Sequence, residues 1–156
     1  MVSLTRYFIW FFFLLFIFTC LCGVIAAVLP QGVGSILTIF PFLIAMIWVL
    51  FKFLKQQHRA PTQAERLKFS YGFSIIFWLF NLSFLLLGIF LFSSSNPRIW
   101  QDFLLYIQDL KFLAVIGIMF LLIAVPLFLL SYWFYGPQAK RMAQKISRSS
   151  ADETLK

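Results

Sequence analysis

Four long runs of apolar residues, separated by short polar bands, dominate the pattern along the chain. They cover about residues 7–28, 36–54, 69–92 and 112–135. A helix needs about 20 apolar residues to cross the hydrocarbon core of a bilayer, and each run is close to that length. Because a spanning segment must satisfy its own backbone hydrogen bonds, the runs are predicted to be helices rather than strands. The sequence therefore predicts an all-α polytopic membrane protein with four transmembrane helices.

The connections predict how these helices are joined. Pro30, Gly32 and Gly34 lie between the first two runs, where such residues predict a tight turn. The first two spans are therefore expected to form one antiparallel hairpin, and the last two spans a second one. Residues 136–156 are predicted to be a basic cytoplasmic tail that begins as a helix and then becomes disordered.

A short amphipathic segment is predicted before the fourth span, over about residues 97–110. Asn96 suits a helix N-cap and Pro97 the first helical position, and apolar residues then recur at helical spacing. This pattern predicts a short helix on the outer membrane surface. A lid or a docking face for a partner is the alternative interpretation.

The central polar connection contains a signal for the start of the third helix. Pro61 disfavours helical backbone at Ala60, so the second helix is expected to end before it. Thr62 and Glu65 have the spacing of a capping box, with Thr62 as the N-cap. The third helix is therefore predicted to begin in water, before it enters the membrane.

The same connection carries three candidate binding residues. His58, Arg59 and Arg66 are candidates for contact with an anionic lipid headgroup or with an acidic protein partner. The alternative is that the charges only set the topology and the local residues only cap a helix.

Lys and Arg are distributed unevenly among the connections. With the N-terminus in the cytoplasm, 11 of the 13 basic residues lie on the cytoplasmic side, and only Arg98 and Lys111 lie outside. Cytoplasmic loops carry this excess of basic residues, so both termini and the central connection are predicted to be cytoplasmic. This topology accounts for the net charge of +8, and no nucleic-acid partner is expected.

The composition excludes a soluble domain and offers little catalytic chemistry. Only 12% of the residues are charged and 62% are hydrophobic, whereas soluble domains carry about 25% charged residues. Cys20 and Cys22 lie inside the first apolar run, far from the single histidine, so neither a disulfide nor a metal site is predicted. No cofactor and no catalytic residues are expected, and the protein is predicted not to be an enzyme.

Asn81 is the conspicuous polar residue inside a predicted span. The middle of each apolar run lacks Asp, Glu, Arg and His, one of which a proton-coupled transporter normally needs at membrane depth. Pro126, in the fourth run, removes the helical hydrogen bond to the carbonyl of Leu122. With the last two spans antiparallel, we expect the Asn81 amide to satisfy that carbonyl or another group at the kink.

Small residues recur every seven positions in the last two spans. Such stripes allow helices to approach closely in lipid, and packing within the chain is preferred here over a homo-oligomer. The residues are Ser74, Asn81 and Gly88 in the third span, and Gly117, Ala124 and Ser131 in the fourth.

The central motif, which reads HRAPTQAER over residues 58–66, carries a resemblance. It resembles the central cytoplasmic loop, of R-x-P-T-x-x-E-R type, in an uncharacterised family of small four-span bacterial inner-membrane proteins. The Arg6-Tyr7 and Pro41-Phe42 pairs and residues 135–140 also fit that family's pattern. The resemblance implies a bacterial inner membrane and a four-span plan, and it carries no activity.

Three classes of function fit this reading. The preferred class is a non-enzymatic accessory or partner-binding protein that contacts the lipid bilayer and either a protein partner or a second copy of itself. An immunity protein against a membrane-active bacterial toxin is one alternative, which a neighbouring toxin gene would favour. A small oligomeric transporter or channel is the other, and flux through liposomes would identify it.

Overall fold

The computed structural model describes residues 4–28, 39–94 and 96–145. The described residues are mostly helical and contain no strand, which confirms the predicted all-α class. Five α-helices are followed by a π-helical turn over Phe134–Gln138, after which helical backbone continues to Lys145. The α-helices are α1 (Thr5–Val28), α2 (Phe40–Gln57), α3 (Gln63–Ser93), α4 (Pro97–Gln108) and α5 (Leu110–Trp133).

Four of the helices are long and apolar enough to cross a membrane, as expected of a multi-pass membrane protein. They are α1, α2, α3 and the helix that α5 begins. With 31 residues, α3 is longer than the roughly 20 that a bilayer requires, so its polar first turns can extend beyond the membrane. The predicted turn at residues 30–34, the start of the second predicted span and residues 146–156 lie outside the described part of the chain.

The capping signals in the sequence are used as predicted at the start of α3. The Glu65 backbone N–H donates to the Thr62 hydroxyl at 3.3 Å, and the Glu65 carboxylate accepts from the Thr62 backbone N–H at 2.9 Å. These two bonds satisfy donors that the first turn of a helix otherwise leaves without a partner. The capping box is therefore confirmed.

The predicted amphipathic segment forms helix α4. Asn96 caps it, since its side-chain oxygen accepts from the Arg98 backbone N–H at 3.1 Å. Asp109 then caps α5 by accepting from the Lys111 N–H at 2.9 Å, so α4 ends two residues before the predicted bound. Its place on the outer membrane surface stays a prediction.

Aromatic contacts establish the directions of the helices. Tyr7 contacts Phe53 late in α2, whereas Phe11, one turn further along α1, contacts Phe42 early in α2. The residue numbers of these contacts increase along α1 while they decrease along α2, so the two helices are antiparallel. Helices α3 and α5 are antiparallel on the same evidence, from the pairs Tyr71–Phe128 and Trp78–Phe120.

The buried core lies at one end of this bundle. It is built from the first half of α1, from α2, from the first half of α3 and from the region around the π-helical turn. Beyond Leu15 in α1 and Phe80 in α3, and before Leu127 in α5, none of the described side chains is buried. The other halves of these three helices therefore expose apolar surface to the membrane or to a partner.

Candidate functional site

Two long-range hydrogen bonds bring four helix ends together. The Tyr7 hydroxyl donates to the Gln56 side-chain oxygen at 2.8 Å, which joins the start of α1 to the end of α2. The Arg66 Nε donates to the Tyr132 carbonyl, which joins the start of α3 to the end of α5. We call this end of the bundle the basic end, because it collects Arg6, Lys52, Lys55, Arg59, Arg66, Lys68, Lys140, Arg141 and Lys145.

At the basic end, Arg59 forms an internal ion pair. Its two terminal nitrogens donate to the two carboxylate oxygens of Glu65, at 2.8 and 2.7 Å. The hydrogen bond from Arg59, with the Thr62 N–H as a second donor, lowers the pKa of Glu65 to about 2, and the same hydrogen bond raises the pKa of Arg59. Arg59, predicted to contact a headgroup or a partner, is thus already matched by a carboxylate in the first turn of α3.

His58 ends α2 in a left-handed backbone conformation. Its φ is 49°, and its backbone N–H donates to the Leu54 carbonyl at 2.9 Å. A residue in this conformation is a common way to terminate a helix. The exposed His58 side chain lies next to Lys55, whereas the following residue turns toward Glu65. The side chains of His58 and Arg59, both predicted to bind a headgroup or a partner, therefore have different neighbours and do not form one site.

Arg66 connects α3 to the π-helical turn. Its guanidinium carbon lies 3.5 Å from the centroid of the Tyr132 ring, and a Cβ added at Gly136 would overlap the guanidinium. Cation–π attraction and the bond to the Tyr132 carbonyl hold the group in this place. Sequence reasoning predicted a ligand contact for Arg66 and missed its two partners, which lie 66 and 70 positions further along the chain.

Tyr135 is the buried centre of the same junction. It is fully buried, its ring contacts Phe69 and Phe73, and its hydroxyl donates to the Met46 carbonyl at 3.0 Å. Pro137, two residues later, has no N–H to donate, and the π-helical backbone accommodates it without ending the helix. The Gly136-Pro137 pair follows directly after the predicted end of the fourth span, and it is the local sequence feature that coincides with this turn.

An open groove of about 1120 Å³ runs beside α2 at the basic end. We call it the α2 groove. Lys52, Lys55 and His58 line one end, and the Lys52 ammonium lies 3.0 Å from the centroid of the Trp10 ring. Its apolar walls are formed by Trp10, Ile44, Ile47, Trp48 and Phe51.

The predicted contact of Asn81 with the Leu122 carbonyl is wrong. The Asn81 amide donates to the carbonyl of Phe77 in its own helix, at 2.8 Å, and among the described residues it forms no hydrogen bond to α5. A short polar side chain can reach the carbonyl four residues earlier without help from another helix. Helix α5 continues through Pro126 to Trp133, so the proline does not end it.

A second groove, of about 690 Å³, lies between α3 and α5 at predicted membrane depth. We call it the α3/α5 groove. The Ser74 hydroxyl oxygen there is buried and has no hydrogen-bond partner among the described residues. Gly88 and Gly117 have open space where a Cβ would be, so the small-residue stripes do not pack closely at those positions. The groove is lined by Ser74, Trp78, Asn81, Phe120, Ala124 and Val125, among others.

The described residues contain no group of His, Cys, Asp and Glu that could hold a metal ion. Comparisons of the chain with models of protein families, with curated proteins and with solved structures find no match.

Proposed function

We propose that this protein is a non-enzymatic accessory protein of the membrane that binds a transmembrane helix of another membrane protein in the α3/α5 groove. The unpaired Ser74 hydroxyl is the observation that carries the proposal. Leaving a buried hydroxyl without a hydrogen bond costs about 1–3 kcal/mol. A partner helix that presents a polar group at this depth would remove that cost.

The behaviour of the other serines makes Ser74 distinctive. Ser70, Ser83 and Ser131 each donate to the carbonyl four residues earlier in their own helix, at 3.0, 2.7 and 2.9 Å. Ser74 makes no such bond, although a carbonyl is available at the same spacing. Its hydroxyl therefore has no partner among the described residues, and a rotation of the Ser74 side chain would bring it to a group that enters the groove.

The shape of the groove favours a helix over lipid as its occupant. Ser74, Asn81 and Ala124 are small residues along its walls, and small residues let helix backbones approach closely in a membrane. Two polar side chains in one apolar groove also suit the hydrogen bonds that form between transmembrane helices. Lipid acyl chains offer no such groups.

We further propose that the protein lies in the inner membrane of a bacterium, with its N- and C-termini in the cytoplasm. The basic end carries nine of the described Lys and Arg residues, whereas Arg98 and Lys111 lie at the opposite end of α3 and α5. This supports the orientation under the rule that basic residues stay cytoplasmic. The resemblance of the central loop supports the bacterial membrane.

A second candidate function is immunity against a membrane-active toxin. Helix α4 supports it, because none of its side chains is buried and Trp100, Leu104 and Leu105 are exposed on it. In the proposed orientation α4 lies on the outer side, where a toxin would arrive. Cells that express the toxin without this protein would then die, and α4 substitutions would remove the protection.

Site-specific photocrosslinking tests the principal proposal. A photoreactive amino acid replaces Val125, which lines the α3/α5 groove, or Ile123, which is similarly exposed but does not line it. We expect irradiation of cells to give one discrete adduct with another membrane protein from position 125 and none from position 123. Ala124→Leu, which partly fills the groove, should abolish that adduct.

The remaining outcomes are distinguishable by mass spectrometry of the products. An adduct with a second copy of this chain would show that the groove binds another copy of the protein, in a homo-oligomer, and not the proposed partner. Adducts with lipid alone, or equal adducts from positions 123 and 125, would reject a helix-binding groove. An adduct that survives Ala124→Leu would show that the contact lies elsewhere on α5.

A further inference from the structure

The α2 groove brings cations and apolar surface together at the basic end. Lys52 and Lys55 are three residues apart on α2 and are therefore neighbours on that helix, and His58, which caps its end, lines the same groove. Arg6 lies one turn before Trp10 on α1 and adds a further positive charge nearby. The groove therefore has a cationic end.

Over residues 4–28, 39–94 and 96–145, no carboxylate is placed to neutralise this end. Glu65 is bound by Arg59, and Asp102 and Asp109 lie in and after α4, at the opposite end of the bundle. Among the described residues, Lys52 and Lys55 are in no ion pair. The Lys52 ammonium is held instead over the Trp10 ring, by a contact that positions it without cancelling its charge.

The apolar part of the groove extends from these cations toward the middle of the membrane. Ile44, Ile47 and Trp48 line it along α2. Eight residues of helix separate Ile44 from Lys52, a rise of about 12 Å. The hydrocarbon core is about 30 Å thick, so the groove covers most of one leaflet. Trp10 and Trp48 are of the type enriched where hydrocarbon meets headgroups.

We propose that the α2 groove binds one anionic phospholipid, with its phosphate at Lys52, Lys55 and His58 and an acyl chain along Ile44, Ile47 and Trp48. The positive charges at the end of the groove favour the negatively charged phosphate. The apolar wall beside them favours a lipid, which has acyl chains, over a free phosphate, which has none. This site is separate from the α3/α5 groove, and it does not depend on a protein partner. Of the three residues predicted from sequence to bind a headgroup, it uses only His58.

Native mass spectrometry of the purified full-length protein in detergent tests the proposal. The protein is titrated with phosphatidylglycerol and with phosphatidylcholine of identical chains. We expect one phosphatidylglycerol molecule to bind about tenfold more tightly than phosphatidylcholine, because two lysines near a headgroup favour the anion strongly. Lys52→Gln/Lys55→Gln should remove this preference.

Matched controls separate this site from general charge. Lys140→Gln/Arg141→Gln removes two charges from the same basic end but not from the groove, and it should retain the preference. Trp48→Ala keeps every charge and should weaken retention of phosphatidylglycerol. Lys55→Gln alone, at an exposed position, should give an intermediate loss even if the double variant is poorly folded.

Three results would overturn the proposal. Equal binding of the two lipids would reject an anionic site, and an equal loss in the Lys140→Gln/Arg141→Gln control would reject its location. Displacement of the lipid by millimolar glycerol phosphate, which has the anionic group without the chains, would reject the acyl-chain contact. Retention of phosphatidylglycerol in its presence is the expected result.

Discussion

The guanidinium of Arg66 lies against the backbone of Gly136, where any side chain carbon would overlap it. The same guanidinium also lies over the Tyr132 ring, with its central carbon 3.5 Å from the ring centroid, and this contact holds it in place. The first turn of α3 and the π-helical turn after α5 are therefore joined by one side chain. A residue with a Cβ at position 136 is incompatible with this arrangement.

Gly136→Ala should destabilise the protein. Arg66 must move away from Tyr132 and give up its ring contact and its hydrogen bond to the Tyr132 carbonyl, which together contribute about 1–2 kcal/mol. The midpoint of thermal unfolding in mild detergent measures the loss. Gly117→Ala is the matched control in α5, because nothing lies within 4 Å of its added Cβ. It should leave the stability unchanged or raise it by up to about 1 kcal/mol.

Arg66→Lys should fail to replace arginine although it keeps the charge. A lysine ammonium cannot both cover the Tyr132 ring and donate from the Nε position to the Tyr132 carbonyl. We expect a loss of about 1–2 kcal/mol in the free energy of unfolding, from the hydrogen bond and the ring contact. Lys68→Arg, an exposed change in the same turn, should have no measurable effect. Full stability in the Arg66→Lys variant would show that charge alone matters here.

Tyr135→Phe removes one buried hydrogen bond and leaves the ring in place. The hydroxyl donates to the Met46 carbonyl, and we expect its loss to cost about 1 kcal/mol. The free energy of unfolding should fall by that amount. Tyr71→Phe is the control, since the Tyr71 side chain is 59% exposed. An equal effect of both substitutions would mean that the bond to Met46 contributes nothing.

The ion pair between Arg59 and Glu65 predicts an acid-sensitive contribution to stability. The pKa of Glu65 in the folded protein is about 2, below its ordinary value of 4.5, so folding favours the charged form. The contribution is therefore complete above pH 4.5 and is lost as the pH falls toward 2. Because Arg59 is 41% exposed, we expect it to be about 1 kcal/mol.

Unfolding of the wild type and of Glu65→Gln between pH 7 and pH 2 measures that contribution. The difference in free energy should be largest at neutral pH and should shrink over this window. When Arg59 is first replaced by Gln, the Glu65→Gln substitution should change the free energy of unfolding less, and this change should depend less on pH. A constant difference across the pH range would contradict the assigned pair.

Asn81→Leu and Pro126→Ala should have additive effects. The Asn81 amide bonds to Phe77 in its own helix, so it does not depend on the backbone near Pro126. A double-mutant cycle in detergent should give a coupling energy within about 0.5 kcal/mol of zero. Coupling well above that value would restore the cross-helix contact first expected from the sequence.

Features set by neighbouring residues were predictable from the sequence. The lengths of the apolar runs predicted the long helices, and the spacing of Thr62 and Glu65 predicted the start of α3. Asn96 and Pro97 likewise predicted where α4 begins. Each of these signals acts within a few residues, so no knowledge of the tertiary fold was needed.

Features set by distant residues were not predictable. Nothing in the local sequence of Arg66 indicates Tyr132 or Gly136, because only the antiparallel packing of α3 and α5 brings them together. The location of the core could not be predicted either. Runs such as α1 are apolar on every side, so the sequence does not indicate which half of the helix is buried against its neighbours. For Asn81, the sequence identified a polar side chain in the membrane but did not indicate that it bonds to the Phe77 carbonyl in its own helix.

The burial of Tyr135 constrains the order in which the bundle can assemble. Its ring fills a space against Phe69 and Phe73, and its hydroxyl reaches Met46 in α2. Helices α1, α2 and α3 therefore leave a vacant slot until the last long helix has been synthesised almost to its basic end. Until residue 135 is added to the chain, the core therefore lacks its largest fully buried side chain among the described residues.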